Sequence, residues 1–547
     1  MKYKIIGATS ILCQLIVSCG SQSNPPPVVS TVSCANLANT TIAANSIGLP
    51  TGGASITSST VVSATTAGNT NGEYCLVTGN ILPASSDPAG TPNIKFQLNL
   101  PTKWNQKTVQ MGGGGYNGTV VTGTGAISFA PGSIPLAEGY ATFGSDSGHV
   151  GTSTDATFAV NDGAIANFGY MHIKKTHDAA FQIINMFYGN LPSRSYFAGG
   201  STGGREAMTA VERFPQDYDG VVASAPALNF SGVRLHGVAV GQAAYASGGY
   251  ITLAKQALIF NTAVSMCDGL DGATDGIISN VSACKAIQSQ VVAKLRCSGG
   301  ADLGATCLSD AQINTVNTIQ NDYQLPYTLS YGVTSHKGYN ILQGADYTSS
   351  SLGLGGSATR DLPPIVADNG YLFTQGDSYL KYFITRNTGF DSFNYNLGMV
   401  DNYLPQLINM SSIVGAMNPD LSAFQKKGSK IIMMHGLQDQ VISNNDTIAY
   451  YDAQLANNGK AYVDSFIRFI NVPGLGHGSG VFTPSWQAID ILDNWVSAGT
   501  TPNNIIGTDT NASTLGRTRP MCFYPNFPKY NGTGDINNAS SFTCSIS

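Results

Sequence analysis

One serine in this chain stands where a serine can be made to react. Gly199-Gly200-Ser201-Thr202-Gly203 is a G-x-S-x-G pentapeptide. The apolar run Ser195-Tyr196-Phe197-Ala198-Gly199 before it is short enough for a buried strand, and residues 204–213 after it carry a helical pattern that stops before Pro215. Between a strand and a helix, small flanking residues allow a turn tight enough to hold the serine strained and exposed. A hydroxyl is a weak nucleophile at neutral pH and needs an adjacent base, itself oriented by an acid. Of seven histidines, His435 and His477 lie in the strand-and-helix pattern of the last third of the chain. His477, in Pro473-Gly474-Leu475-Gly476-His477-Gly478, sits in a loop directly after the strand-like Phe466-Ile467-Arg468-Phe469-Ile470. Asp439 comes four residues after the strand-like Lys430-Ile431-Ile432-Met433-Met434-His435 and is the candidate acid. Asp446 is its rival and reads better as the N-cap of a helix over roughly 446–457. That helix and one strand separate Asp439 from His477, which suits an acid and a base on consecutive strand ends. The chemistry expected is acyl transfer through Ser201, with His477 as base and Asp439 as its orienting acid.

A developing oxyanion needs two N–H donors: one from the residue after the nucleophile, here Thr202, and one from an earlier loop. Gly112-Gly113-Gly114-Gly115-Tyr116-Asn117-Gly118 follows the strand-like Thr108-Val109-Gln110-Met111 and is the evident loop. No Gly-Lys-Ser/Thr follows it, which excludes a phosphate loop. A second cluster is acidic. Cys267-Asp268-Gly269-Leu270-Asp271-Gly272-Ala273-Thr274-Asp275-Gly276-Ile277 packs three carboxylates into eight residues. Hard oxygen ligands at that density favour calcium, although the spacing is not that of an EF-hand.

Around these residues the chain organises itself by pattern. Residues 52–110 alternate apolar and polar positions, as in Ile94-Lys95-Phe96-Gln97-Leu98-Asn99-Leu100, and predict strands with one wet face. From 137 to 225 strand and helix signals alternate, predicting an α/β fold with a parallel sheet. Residues 166–189 have helical spacing and end at Gly189. The stretch 229–424 lacks that alternation, is rich in aromatics and glycine, and reads as an insertion; strands and helices resume over 425–547. Charged residues make up 11% of the 547, against roughly 25% in soluble domains, while glycine reaches 63. A net charge of −5 with scattered basic residues excludes a nucleic-acid surface.

Residues 1–19, MKYKIIGATSILCQLIVSC, read as an export signal. Ile16-Val17-Ser18-Cys19 resembles a bacterial lipobox, which would leave Cys19 as a lipidated first residue; ordinary signal cleavage nearby is the alternative. Residues 20–33, with Pro25-Pro26-Pro27, form a linker. The expected location is secreted, or periplasmic or outer-membrane as a lipoprotein. Export leaves eight cysteines in the mature chain, an even number in an oxidising compartment, hence four disulfides. Sequence does not fix their connectivity. Clustering favours neighbours: Cys34–Cys75, Cys267–Cys284, Cys297–Cys307 and Cys522–Cys544. No C-x-x-C occurs, which counts against zinc.

Taken together, GGGGYNG, YFAGGSTGGREAM, CDGLDGATDGII, HGLQD, VPGLGH and RTRPMCFYPNFPKYNGTGD resemble the tannase and feruloyl esterase family of α/β-hydrolases, which includes mono(hydroxyethyl) terephthalate esterases. The resemblance covers nearly the whole mature chain. It implies a hydrolase core in two parts, 34–228 and 425–547, with a lid over 229–424. It implies a triad of Ser201, Asp439 and His477, with Gly115 and Thr202 as oxyanion donors. It also implies a structural calcium held by the side chains of Asp268, Asp271 and Asp275 and the carbonyls of Ala273 and Ile277. The expected substrate is a small ester of an aromatic acid of hydroxycinnamic or gallic type, with no protein partner. The alternatives are a terephthalate-type ester hydrolase or a non-catalytic binding lipoprotein. For a terephthalate carboxylate only Arg360 offers itself as a loose candidate clamp. The lid aromatics Tyr347, Tyr371, Phe373, Tyr379, Tyr382, Phe383, Phe390, Phe393 and Tyr395 are candidates for an aryl pocket or for lid core. One departure stands out: the family pattern has cysteines flanking the serine and the histidine, and here those positions are Gly200 and Gly478. A missing bridge predicts a more mobile His477 loop.

Overall fold

The structure, a computed structural model, describes residues 29–546. The export signal with Cys19 and most of the linker lie outside those residues. Ten strands make one sheet. The first five are β1 (Thr41–Ile42), β2 (Ala54–Val62), β3 (Tyr74–Ile81), β4 (Ile94–Pro101) and β5 (Lys107–Met111). The others are β6 (Ala141–Ser145), β7 (Arg194–Gly200), β8 (Gly220–Ser224), β9 (Lys430–Gly436) and β10 (Ile467–Val472). Their order is β1-β2-β3-β4-β6-β5-β7-β8-β9-β10, antiparallel from β1 to β6 and parallel from β6 to β10. The helices that matter for the site are α1 (His172–Tyr188), α2 (Thr202–Arg213), α3 (Phe230–Ala244), α4 (Tyr371–Ser378), α5 (Asn444–Asn458) and α6 (Ala488–Ala498).

The parallel strands read as continuous apolar runs because both faces are covered. Tyr196 and Ala198 of β7 enter a layer with Leu492 and Trp495 of α6. Phe197, between them, enters the opposite layer with Met208 and Val211 of α2. Burying a side chain of that size is worth about 1.5–3 kcal/mol, so both layers pull on the same strand. β4 departs from its alternating sequence for the same reason. All of it except Lys95 is buried, because Phe96, Leu98 and Leu100 pack with Ala179, Ile183 and Phe187 of α1 while the polar residues opposite find partners. Asn99 donates to Thr142 Oγ1 at 3.0 Å and to the Thr122 carbonyl at 2.7 Å. The expected wet face survives on β2 instead.

Residues 225–429 add no strand to this sheet. They form a helical layer whose core includes Leu235, Tyr379, Leu407 and Met410, continuous with Tyr116 and Phe168 from the first part of the chain. Helix α1 ends at Gly189 in the left-handed region, as the sequence predicts. Helix α2 starts at Thr202, two residues earlier than the apolar pattern, because Ser201 itself makes the turn. The N-cap of α5 is Ser443 and not Asp446, which sits a turn inside the helix with its Oδ1 accepting from the Lys337 N–H at 3.1 Å. All four disulfides join sequence neighbours: Cys34–Cys75, Cys267–Cys284, Cys297–Cys307 and Cys522–Cys544. Such bonds belong to a protein folded in an oxidising compartment. Among the described residues no helix is long and apolar enough to cross a membrane.

Candidate active site

Parallel pairing brings four strand ends to one edge. Gly200 of β7 pairs with Ser224 of β8, Ser224 with Met434 of β9, and Gly436 of β9 with Val472 of β10. Ligands of open α/β sheets bind at such carboxyl ends. Ser201 follows β7 with φ 60° and ψ −122°, a conformation an L-residue holds only under constraint. The constraint is visible. The Ser201 N–H donates to the Ser224 carbonyl at 2.9 Å, and the Gly203 N–H to the Gly113 carbonyl at 2.7 Å. A Cβ on Gly203 would stand 2.7 Å from that same carbonyl oxygen, so the turn closes only on glycine.

Ser201, His477 and Asp439 form one hydrogen-bonded line. His477 Nε2 is 3.0 Å from Ser201 Oγ, and His477 Nδ1 is 2.8 Å from Asp439 Oδ2. Asp439 is 1% exposed, and its Oδ1 accepts from the N–H groups of Val441 and Ile442, each at 2.8 Å. Its Oδ2 also lies 3.3 Å from His435 Nε2. Burial alone would raise this carboxyl. The charge of His477 and hydrogen bonds from His435 and His477 overcome that and hold it well below the usual carboxylate range. His435, whose ring is anchored by Thr447 Oγ1 at 2.9 Å, is thus a second imidazole on the acid rather than a rival base. The sequence placed it beside the acid without showing that role.

The loop after β5 closes over Ser201. Thr202 Oγ1 donates to the Gly115 carbonyl at 2.6 Å, and no backbone carbonyl among the described residues accepts from the N–H of Gly115 or of Thr202. Gly115 has φ 57°, and a Cβ there would come within 2.1 Å of the Ser153 carbonyl oxygen. Tyr116 pins the loop from the helical layer: its ring stacks on Phe383 at 5.7 Å and its hydroxyl donates to the Gln375 carbonyl at 2.8 Å. Glu206 holds the other side, a residue sequence reasoning missed. It is 1% exposed and accepts from the Gly113 N–H at 3.0 Å and from Asn117 Nδ2 at 2.5 Å. Burial opposes its charge, but the neighbouring His172, the Arg205 guanidinium and the Asn117 bond keep its carboxyl below the ordinary value. An acid inside a glycine-rich helix start, Gly203-Gly204-Arg205-Glu206, was the available signal. Two glutamines fix the base loop, Gln440 Oε1 accepting from the His477 N–H at 3.1 Å and Gln438 Oε1 from the Gly474 N–H at 2.6 Å.

The remaining expected site residues are placed as follows. Asp268 accepts from the N–H of Gly276 at 3.0 Å, Asp271 from that of Ala273 at 2.9 Å, and Asp275 from that of Ile277 at 3.0 Å while also binding Arg519. The one group of potential ligands gathered within 4.8 Å among the described residues lies elsewhere, at His177, Asp178 and Asp217. There the Lys174 ammonium already sits 2.9 Å from Asp178 and 3.0 Å from Asp217. Arg360 is committed to a two-point pair with Asp391 at 2.6 and 3.0 Å, which leaves it no free fork for a carboxylate. Tyr347, Tyr371, Phe373, Tyr379 and Phe383 are buried, in the manner of core.

A strained serine at a strand end, with an imidazole and a carboxylate arriving from the next loops, on a mostly parallel sheet, defines an α/β-hydrolase. The comparisons agree in kind. An uncharacterised esterase of Agrobacterium fabrum is 39% identical over 93% of this chain and 92% of its own. The mono(2-hydroxyethyl) terephthalate hydrolase of Piscinibacter sakaiensis is 30% identical over 86% of this chain and 85% of its own. The crystal structure of feruloyl esterase B from Aspergillus oryzae superposes with a TM-score of 0.72 at 25% identity, covering 90% of this chain and 97% of that one. The model of the tannase and feruloyl esterase family matches residues 75–545. This chain belongs to that family and is a carboxylic ester hydrolase.

Proposed function

We propose that the protein is an exported serine esterase that cleaves small esters of aromatic acids through an acyl-enzyme. The observation that carries the reading is the line Ser201 Oγ–His477 Nε2 at 3.0 Å and His477 Nδ1–Asp439 Oδ2 at 2.8 Å. Ser201 Oγ attacks the ester carbonyl carbon while His477 Nε2 takes its proton. The negative oxygen of the tetrahedral intermediate accepts from the N–H groups of Gly115 and Thr202, a pair of donors worth several kcal/mol in the transition state. His477 then returns the proton to the departing alkoxide, and the alcohol leaves. Water, deprotonated by the same nitrogen, attacks the acyl-enzyme, and the acid departs with Ser201 restored. Asp439 keeps the proton on Nδ1 throughout and stabilises the imidazolium without taking it.

The aromatic acyl group is supported by two relatives of comparable similarity, a feruloyl esterase and a mono(2-hydroxyethyl) terephthalate hydrolase. The loss of Arg360 to Asp391 favours a neutral aryl acid such as a hydroxycinnamate over one bearing a second carboxylate. Segment 229–424 acts as the lid over the pocket. Calcium would bind in the 268–277 loop through the side chains of Asp268, Asp271 and Asp275 and the carbonyls of Ala273 and Ile277. Its fit rests on the Asp271 carboxyl beside Ser279, which burial pushes up to about 6, and the ion would displace Arg519 from Asp275. The ion would supply counter-charge that fastens this loop. Cys19, if lipidated, would tether the enzyme to a membrane surface.

The test is turnover of methyl ferulate, methyl gallate, chlorogenate and mono(hydroxyethyl) terephthalate by wild type and by Ser201→Ala. Hydrolysis of at least one, lost at least 10³-fold in the variant, is the expected result. Activity that survives Ser201→Ala would sink the serine mechanism, and a wild type inert on all four would favour a binding protein.

A further inference from the structure

One partly exposed aromatic ring touches both the nucleophile strand and the base loop. Phe129 lies in a short loop closed by the Ile127–Ala130 bridge, and its backbone φ is 63°. A non-glycine residue held there is strained, so something must fix it. Trp486, itself buried, does: its indole N–H donates to the Phe129 carbonyl at 3.0 Å. Strain and anchor together aim the ring into the active site. It meets His477 edge to face, with ring centroids 5.3 Å apart and planes at 75°.

The two edges of the ring face the two glycines that flank the reacting pair. A Cβ on Gly200, the residue before Ser201, would lie 2.3 Å from Phe129 Cδ2 and 2.4 Å from Cε2. A Cβ on Gly478, the residue after His477, would lie 3.9 Å from Cε1 and from Cζ. Gly200 is therefore bare because the ring occupies the space a side chain would need. The ring in turn fills the gap between β7 and the His477 loop. No covalent link joins those two segments; Leu475 seats the loop in the core, and around His477 it is held by hydrogen bonds, among them His477 N–H to Gln440 and Gly476 N–H to the Ser479 carbonyl at 2.9 Å.

We infer that Phe129 is a positioning residue for His477: its ring, wedged over Gly200 and against Gly478, holds the imidazole in line with Ser201. The inference rests on the serine-esterase reading above. An ångström of misplacement in such a line costs up to about 10²-fold in rate. Phe129→Ala should therefore lower kcat by about tenfold or more while KM changes less than about twofold. Restoring bulk and ring with Phe129→Tyr should return most of kcat.

The deciding experiment is a double-mutant cycle of Phe129→Ala with Gly200→Ala, read as kcat and KM on the best ester of the panel, with thermal unfolding of each variant alongside. In wild type the new methyl collides with the ring and kcat falls. In the Phe129→Ala background only the 3.0 Å approach to Ser128 Cβ remains, and Gly200→Ala costs much less than in wild type. Should Phe129→Ala not fold, Phe129→Leu, which keeps volume but not the ring, carries the same criteria. Phe129→Ala or Phe129→Leu with full kcat, or Gly200→Ala costing the same in both backgrounds, overturns the inference. Ser201→Ala in the same assay separates the failures: if it stays active the serine reading fails, whereas an inactive Ser201→Ala beside a fully active Phe129→Ala removes only the role of Phe129.

Discussion

Replacing Asp439 by asparagine tests the line of proton transfer with almost no change of shape. Oδ1 of Asp439 receives two backbone N–H groups at 2.8 Å, from Val441 and Ile442, and both are buried with it. An amide must leave its oxygen there, because turning its NH2 toward two donors would orphan all of them at about 1–3 kcal/mol each. The NH2 therefore replaces Oδ2 and points its hydrogens at His477 Nδ1. His477 can then satisfy it only by offering the Nδ1 lone pair, which moves its proton to Nε2. Nε2 now donates to Ser201 Oγ across the 3.0 Å contact and no longer accepts from it. The base is present, correctly placed and of the wrong tautomer. For such triads the loss is about 10⁴ in kcat, about 5.5 kcal/mol of transition-state stabilisation. KM should hold, since Asp439 is buried behind the histidine. A linked effect checks that the charge was there. The carboxyl is held below its unfolded value of about 3.9, so it contributes stability above that pH and loses it only as pH falls through the folded value. Asp439→Asn should be less stable than wild type at pH 7, with the gap closing in strong acid. Steady-state kinetics on a methyl hydroxycinnamate and urea unfolding at several pH values read both. A folded variant within tenfold of wild-type kcat would refute the tautomer argument.

Two predictions concern the frame. The Cys34–Cys75 bond closes 41 residues and ties the segment before β1 to β3. Cys34→Ser/Cys75→Ser should cost about 4 kcal/mol by loop-closure entropy, measured by urea unfolding, and leave kcat unchanged because the bond is far from the strand ends that carry the site. Asp146 is 1% exposed, with Oδ1 accepting from Lys95 and Gly148 N–H groups and Oδ2 unpartnered; burial pushes its carboxyl up to about 6. A raised folded value favours the native state below the unfolded pKa of about 3.9 and withdraws that support as pH rises through about 6. Asp146→Asn should therefore gain on wild type by up to about 3 kcal/mol between pH 4 and pH 8 in unfolding experiments, and a pH-independent difference would show that the carboxylate is already charged at no cost.

Ser201 was legible because its context is local: an apolar strand, a glycine-lined turn and a helix between Arg194 and Arg213. Asp439 and His477 were legible as strand-end loops, since β9 and β10 announce themselves by unbroken apolar runs. What stayed hidden depends on packing between distant segments. Glu206 looks like any helical glutamate until the loop after β5 folds back onto it. Phe129 carries no pattern at all; its meaning comes from Gly200 and Gly478, far along the chain. The alternation in β4 misled because the polar residues on the face away from α1 can be buried when each finds a partner, as Asn99 does with Thr142. Asp446 misled because an N-cap and a residue one turn inside look alike in sequence, and Ser443 was an equally good cap.

The position of the long helical segment then has a structural logic. Residues 225–429 leave the sheet after β8 and return at β9, yet β8 and β9 are hydrogen-bonded neighbours, Met433 opposite Ala223 and Met434 opposite Ser224. Whatever lies between, the register of that pairing restores Asp439 to its place one strand further from Ser201. His477 follows from the same rule, since β9 and β10 pair from Ile431 with Ile467 to Gly436 with Val472. The placement of Ser201, Asp439 and His477 thus depends on sheet register, which is costly to slip because a one-residue shift reverses every side chain between two packed layers. The helical segment nevertheless meets the acid loop directly: the Tyr339 hydroxyl donates to the Val441 carbonyl at 3.3 Å, Asn340 Nδ2 to the Leu437 carbonyl at 2.6 Å, and the Gln343 carbonyl accepts from Gln438 Nε2 at 3.2 Å. Changes at Tyr339, Asn340 or Gln343 therefore bear on the loop that carries Asp439, although the register of β9 itself is set by the sheet.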